Sequence, residues 1–160
     1  MLPILIGVGA VIGGVVAWLS EEEKQRKQQE EEEKRLLDSG ISEVDSMTGK
    51  QLENFLYVFF RKLGYNVSLT SDTQDYGADL NLHKDCIKTV VQAKRKKTSV
   101  SLSAVQEVAS AIKHYKADKG MVITNNSFIA NAYNLAYSND IKLWDRKKLV
   151  EFMLRAKNAV

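Results

Sequence analysis

Asp79, Gln92 and Lys94 are the residues of this chain whose types and spacing suit chemistry. Residues 87–95 read as a strand, where side chains alternate, so Gln92 and Lys94 share one face while Val91 and Ala93 share the other. Residues 78–83 alternate too: Ala78, Leu80 and Leu82 are apolar, and Asp79 and Asn81 face the opposite way. A turn at Lys84-Asp85 makes the two strands a hairpin and brings Asp79 near Gln92 and Lys94. A carboxylate, an amide oxygen and an ammonium gathered at a sheet suit phosphodiester hydrolysis assisted by a hard cation such as Mg²⁺. The cation takes oxygen ligands, polarises the phosphate and lowers the pKa of a bound water, while the lysine orients that water and stabilises developing charge. Singly, each residue has a plainer reading: Lys94 as the start of a solvated Lys94-Arg95-Lys96-Lys97 run, Asp79 as a turn residue, Gln92 as a bonded core amide.

Other elements must hold these residues in place. Thr48-Gly49-Lys50-Gln51 has the form of a capping box, and Leu52, Phe55, Leu56, Phe59 and Leu63 recur at helical spacing up to Gly64, with Glu53 projecting from that helix. Residues 65–70 read as a short strand and 71–77 as a polar loop. Ser103 and Gln106 form a second capping pair ahead of a helix with Leu102, Val105, Val108, Ala109 and Ile112 on one face. Residues 120–124 form a compact apolar strand, 128–137 a helix and 141–144 a last strand, after which Asp145 caps a terminal helix. The predicted order is αβββαβαβα: an antiparallel meander followed by crossover helices, giving an α/β fold with a mixed sheet flanked by helices.

The chain's 160 residues, 44% hydrophobic and 27% charged with one proline, suit one globular domain with short attachments and exclude a disordered chain or a collagen-like repeat. A single cysteine, Cys86, excludes an intramolecular disulfide and a Cys-rich zinc module. His83 and His114 lack metal-ligand spacing. The net charge of +3 hides an imbalance: residues 1–40 carry five basic and eight acidic side chains, leaving 18 basic against 12 acidic in residues 41–160.

Three segments are expected: 2–19, 20–40 and 41–160. Residues 2–19 contain no ionisable side chain. As a helix they would reach roughly 27 Å, slightly under a hydrocarbon core of about 30 Å, so that they could barely span it. A single-pass membrane helix is therefore expected, with Trp18 at the interface, a GxxxG spacing at Gly9 and Gly13, and the following Lys and Arg placing the domain in the cytoplasm. The alternatives are a cleaved signal peptide, which lacks its basic leader here, and a soluble segment. Residues 20–37 pair Glu22 with Arg26, Glu23 with Lys27, Glu30 with Lys34 and Glu31 with Arg35, as in a solvated helical spacer that stops near Gly40.

The globular part resembles a known family. The run Met47-Thr48-Gly49, Leu52-Glu53, Leu63-Gly64-Tyr65, Asp75-Tyr76-Gly77-Ala78-Asp79-Leu80, Val90-Val91-Gln92-Ala93-Lys94-Arg95, Ala104-Val105-Gln106-Glu107, Gly120, Thr124-Asn125, Phe128, Ala132 and Leu143-Trp144-Asp145-Arg146 is similar to the catalytic domain of Mrr-type restriction endonucleases, of the PD-(D/E)xK nuclease superfamily. The resemblance spans about residues 44–155. It implies a restriction endonuclease-like fold and a Mg²⁺-dependent DNA endonuclease, with Mn²⁺ as a substitute. Asp79 becomes the metal-binding aspartate, Gln92 takes the place of the usual second acidic ligand, Lys94 is the catalytic lysine, and Glu53 completes the metal shell. Asp75 and Gln106 take supporting or substrate-side places.

Lys94, Arg95, Lys96 and Lys97, with Lys113, Lys116 and Lys119, supply charge for a phosphate backbone. A homodimer is implied only by the need for two sites to cut two strands. Because Gln92 brings an oxygen but no charge, two other readings stand beside a restricting enzyme. One is a repair or junction-resolving nuclease of the same fold; the other is a module that holds DNA at the membrane without cutting it. A third, a structural protein that merely keeps the fold, would show no DNA binding.

Overall fold

The computed structural model describes residues 17–18, 20–28, 40–71 and 76–158. The chain divides into two compact units, Met1–Ser39 and Gly40–Val160. In the first, residues 17–18 and 20–28 are helical and exposed, and Glu21, Glu22, Glu23, Lys24, Arg26 and Lys27 are all ionisable. The membrane placement expected for 2–19 is corrected: among the described residues, no helix is long and apolar enough to cross a membrane. Most of 2–19 lies outside the described residues. The helical residues that are described beside it carry charges that a hydrocarbon core would penalise, and the single-pass, cytoplasm-facing localisation does not stand.

In the second unit a helical turn at 40–46 precedes α1 (Gly49–Lys62), β1 (Asn66–Leu69), β2 (Leu80–Lys84), β3 (Ile87–Lys94), α2 (Leu102–His114), β4 (Lys119–Thr124), α3 (Ala130–Ser138), β5 (Ile141–Trp144) and α4 (Arg146–Asn158). From α1 onward the order is the expected one. Gly40 is helical rather than a stop, and a Cβ there would lie 3.0 Å from Met153 Cε, so this glycine serves close packing against α4.

The five strands lie in the order β1-β2-β3-β4-β5, antiparallel from β1 to β3 and parallel from β3 to β5. Thr48 closes the expected capping box, its side chain accepting from Gln51 N while Gln51 accepts from Thr48 N. The hairpin turns at Asp85-Cys86, one residue later than expected, with both residues at positive φ (51° and 62°). That geometry matches the twist of the flanking strands in two-residue hairpins. Ser101, not Ser103, is the N-cap of α2, and Phe128 pairs with Val100 in an isolated parallel bridge instead of opening α3.

Each face of the sheet has its own cover. Gly120, the register partner of Val90, lies beneath α2 so closely that a Cβ would come 2.5 Å from Val108 Cγ1. The face bearing Val90, Gln92 and Lys94 is therefore covered by α2, over a core that includes Val105, Val108, Val122 and Phe128. On the other face Phe60 of α1 meets Trp144 at 5.8 Å, and Trp144 stacks on Phe152 of α4 at 3.8 Å.

One polar clamp ties the beginning of this unit to its end. Arg146 donates to Asp45 through Nη1 (2.6 Å) and Nη2 (2.9 Å), and buried Asn125 donates to Asp45 Oδ1 at 3.0 Å. The Arg146 hydrogen bond holds the Asp45 carboxyl below the usual carboxylate range; partial burial opposes it, and Asn125 and the charges of Arg146 and Arg95 assist. A depressed pKa stabilises the fold above the unfolded value of about 4, and that stabilisation is lost as pH falls through the folded pKa. Because both partners are substantially exposed, about 1 kcal/mol is expected from the pair. Denaturant melts of Asp45→Asn should show that deficit at pH 7 and a shrinking one below about pH 4. A deficit that stays constant down to pH 2 would contradict this account.

Candidate active site

Asp79 lies just before β2 and is tied down by backbone: its N–H donates to Val91 O at 2.8 Å, and its carbonyl accepts from Thr70 N at 2.9 Å. This places it opposite Gln92, continuing the register in which Leu80 faces Val91. Its carboxylate Oδ2 accepts from Gln92 Nε2 at 2.9 Å and from Ala93 N at 2.7 Å. Both side chains are deep, Asp79 being 7% and Gln92 5% exposed.

Gln92 Oε1 is buried without a hydrogen-bond partner. Burying an acceptor unpaired costs about 1–3 kcal/mol. Two other buried polar residues nearby make the contrast. Thr124 donates to Lys94 O at 2.7 Å, and Asn125 uses both ends of its amide, accepting from Lys96 N and donating to Asp45. Asn81 Oδ1 and Arg95 Nε are also buried without a partner, and of these three atoms the Gln92 oxygen is the one beside the Asp79 carboxylate.

Lys94 projects on the same face as Gln92, and its Nζ meets Glu107 Oε2 of α2 at 2.9 Å. Glu107 was not singled out for a role from sequence. Its signal is its position: it falls between Ala104, Val108 and Ala111, which line the buried stripe of α2. A carboxylate at the edge of an apolar stripe can reach a partner across the interface, as Glu107 does while staying partly exposed. Gly77, at φ 86°, packs directly on the Glu107 backbone, so the stretch leading to Asp79 and the helix bearing Glu107 are fixed against each other.

Glu53 stands elsewhere. Lys84 Nζ donates to Leu63 O at 2.8 Å, which sets the C-terminal end of α1 beside the far end of β2. The N-terminal end of α1, with Glu53, therefore comes to the Asp79 end of the sheet, on the face that α1 covers. There Glu53 Oε2 pairs with Lys50 Nζ at 3.1 Å. The structure brings together Asp79 and Gln92, aligns Lys94 beside them, and leaves Glu53 paired on its own helix. Among the described residues no group of three or more His, Cys, Asp or Glu side chains is placed to hold a metal ion. Asp75 lies outside the described residues.

Beyond β3 the chain continues as a basic loop. Lys96 and Lys97 are exposed, and the Lys96 backbone is held by Asn125 Oδ1 on its N–H (2.8 Å) and Asn126 Nδ2 on its carbonyl (3.3 Å). Asn125 and Asn126 thus position this loop. Arg95 is half-buried, with its Nε unpaired, and Gln106 is exposed on α2.

The same architecture recurs in solved structures. A protein of unknown function, AF1548, matches with a TM-score of 0.56 at 15% identity, over 67% of this chain and 65% of its own. The MspJI restriction endonuclease, solved in complex with a 27-mer oligonucleotide, matches with a TM-score of 0.54 at 19% identity, over 78% of this chain and 31% of its own. The DNA modification-dependent restriction endonuclease AspBHI gives a TM-score of 0.54 at 20% identity, over 78% of this chain and 36% of its own. At these identities the likeness is one of fold.

In sequence, the uncharacterized protein y4cE of Sinorhizobium fredii (strain NBRC 101917 / NGR234) is 27% identical over 161 residues, covering 88% of this chain and 41% of y4cE. The chain thus spans about two fifths of that relative's length. The family model described as restriction endonuclease, of the Mrr catalytic-domain type, matches residues 44–153. That match runs from before α1 into α4 and takes in all five strands, and the chain belongs to the Mrr-type restriction endonuclease family.

Proposed function

We propose that the Gly40–Val160 unit hydrolyses DNA phosphodiester bonds with the help of a divalent cation, Mg²⁺ with Mn²⁺ as a substitute. The observation that carries this reading is the unpaired, buried Gln92 Oε1 beside the Asp79 carboxylate. Two oxygen donors of this kind fit a hard cation, and Asp79 and Gln92 would hold it; Glu53 would join as a third ligand only by leaving Lys50 on α1. When bound, such an ion polarises a phosphate and lowers the pKa of a coordinated water.

The remaining work falls to the chain's own groups. Ala93 N and Gln92 Nε2 fix the Asp79 carboxylate, so no reorganisation is needed at the moment of reaction. The Lys94 ammonium, held by Glu107, offers a positive donor to the phosphoryl oxygen on which charge develops and orients the attacking water. The exposed Lys96 and Lys97, with Arg95 and Gln106, meet the backbone of the substrate without reading its sequence.

The test uses the full chain and supercoiled plasmid. Nicking or linearisation in Mg²⁺ or Mn²⁺, abolished by chelation, is the expected result. The small number of carboxylates at the site favours one other reading, a module that binds DNA and leaves it intact. Salt-sensitive binding without cleavage in either metal would select that reading and overturn the first.

A further inference from the structure

We infer that Tyr76, backed by His114, is a stacking platform for an unpaired nucleobase of the DNA strand that enters the site. The inference rests on the DNA reading above and names a feature of the substrate. Tyr76 is half exposed, at 50%. Its ring lies on the His114 imidazole at 3.7 Å with 20° between planes, and Tyr115 stands edge-on to both rings at 6.4 and 4.8 Å. Tyr76 is thus a flat aromatic surface held on one side by a packed pair, with half of its surface exposed among the described residues. Tyr137 shows what an unassigned surface tyrosine looks like: it is 91% exposed and, among the described residues, has no ring contact.

Position and charge point to nucleic acid. Tyr76 precedes Asp79 by three residues, so the two Cα atoms lie within about 11 Å of each other, one to two nucleotides of extended strand. Gly77, seated on the Glu107 backbone, fixes that spacing. Lys113 and Lys116 flank His114 and are exposed, and Lys88 Nζ lies 5.8 Å from the Tyr115 ring centroid. A rigid aromatic face at a helix end that carries exposed lysines resembles the arrangement by which proteins hold single-stranded nucleic acid: the cations follow the backbone, and a base stacks on the ring whatever its identity. A base inside an intact duplex has both faces covered, so the platform selects strands whose bases are unstacked at this point.

The test measures binding of the full chain in Ca²⁺ to a single-stranded oligonucleotide carrying 2-aminopurine, whose fluorescence is quenched by stacking, and to the matching duplex. Tyr76→Ala and Tyr76→Leu should weaken single-strand binding by about 5- to 100-fold and lose the quench, while Tyr76→Phe keeps both. Duplex affinity should change by less. Tyr76→Leu retains apolar bulk against His114 without a π face, which keeps the test valid if the alanine variant unfolds. Wild-type affinity and quench in the leucine variant would overturn the inference and leave the nuclease reading intact. Absence of DNA binding by the unmodified chain would overturn both.

Discussion

Asp79→Asn is expected to leave the chain folded and to reduce DNA cleavage by about a thousandfold or more, the scale on which losing one preorganised charge at a reaction centre acts. The hydrogen bonds that Ala93 N and Gln92 Nε2 donate to this side chain both end on one oxygen, Oδ2. An asparagine can put its single oxygen there and keep them both. What it loses is the negative charge that sets this pair apart from an ordinary buried amide cluster. A thermal melt within a few degrees of wild type, together with loss of plasmid nicking in Mg²⁺, is the predicted combination. Cleavage at the wild-type rate would remove Asp79 from the reaction, and with it the Gln92 oxygen as a cation ligand.

Gly77→Ala should produce the largest loss of stability of any single methyl addition in the site, about 3–4 kcal/mol when left-handed strain and overpacking are combined. The residue sits at φ 86°, where L side chains are strained, and its Cβ would overlap the backbone carbonyl of Glu107. A backbone carbonyl in the middle of a helix cannot swing aside as a side chain can. Relief must come from lifting the 76–79 stretch off α2, which would carry Asp79 away from Gln92 and separate Lys94 from its helix partner. Gly120→Ala offers a comparison, because the atoms it meets belong to the side chains of Val108 and Ile112 and not to backbone, and no positive φ adds strain there. Urea melts should therefore rank Gly77→Ala as the more damaging of the two, and the reverse order would refute this account.

The expectations that held were those written in local pattern. Thr48 and Gln51 announce the start of α1 because a capping box is complete within four residues. Alternation around Asp79 and Gln92 predicts their contact because a hairpin of this kind sets register over a short loop. What escaped depended on contacts between elements. Glu107 reaches Lys94 only because α2 returns across the face that bears Gln92. Gly40 carries the local mark of a helix end, but Met153 of α4 needs the space that its missing side chain leaves. The turn slipped to Asp85-Cys86 because the twist of paired strands, not residue preference, selects positive φ at both positions. The apolar stretch at 2–19 has the composition of a span, and no described helix provides one.

The clamp between Asp45 and Arg146 bears on how this domain is made. Spatial strand order repeats chain order, so each strand pairs with one already synthesised, and the sheet can be laid down progressively as the chain leaves the ribosome. Asp45 must wait for a residue 101 positions later. Until that arginine emerges, Asp45 has Asn125, which also holds the Lys96 backbone, but not the charged partner that completes the clamp. A nascent chain can therefore own a nearly complete sheet while the charged clamp that joins the turn at 40–46 to the start of the last helix is still open.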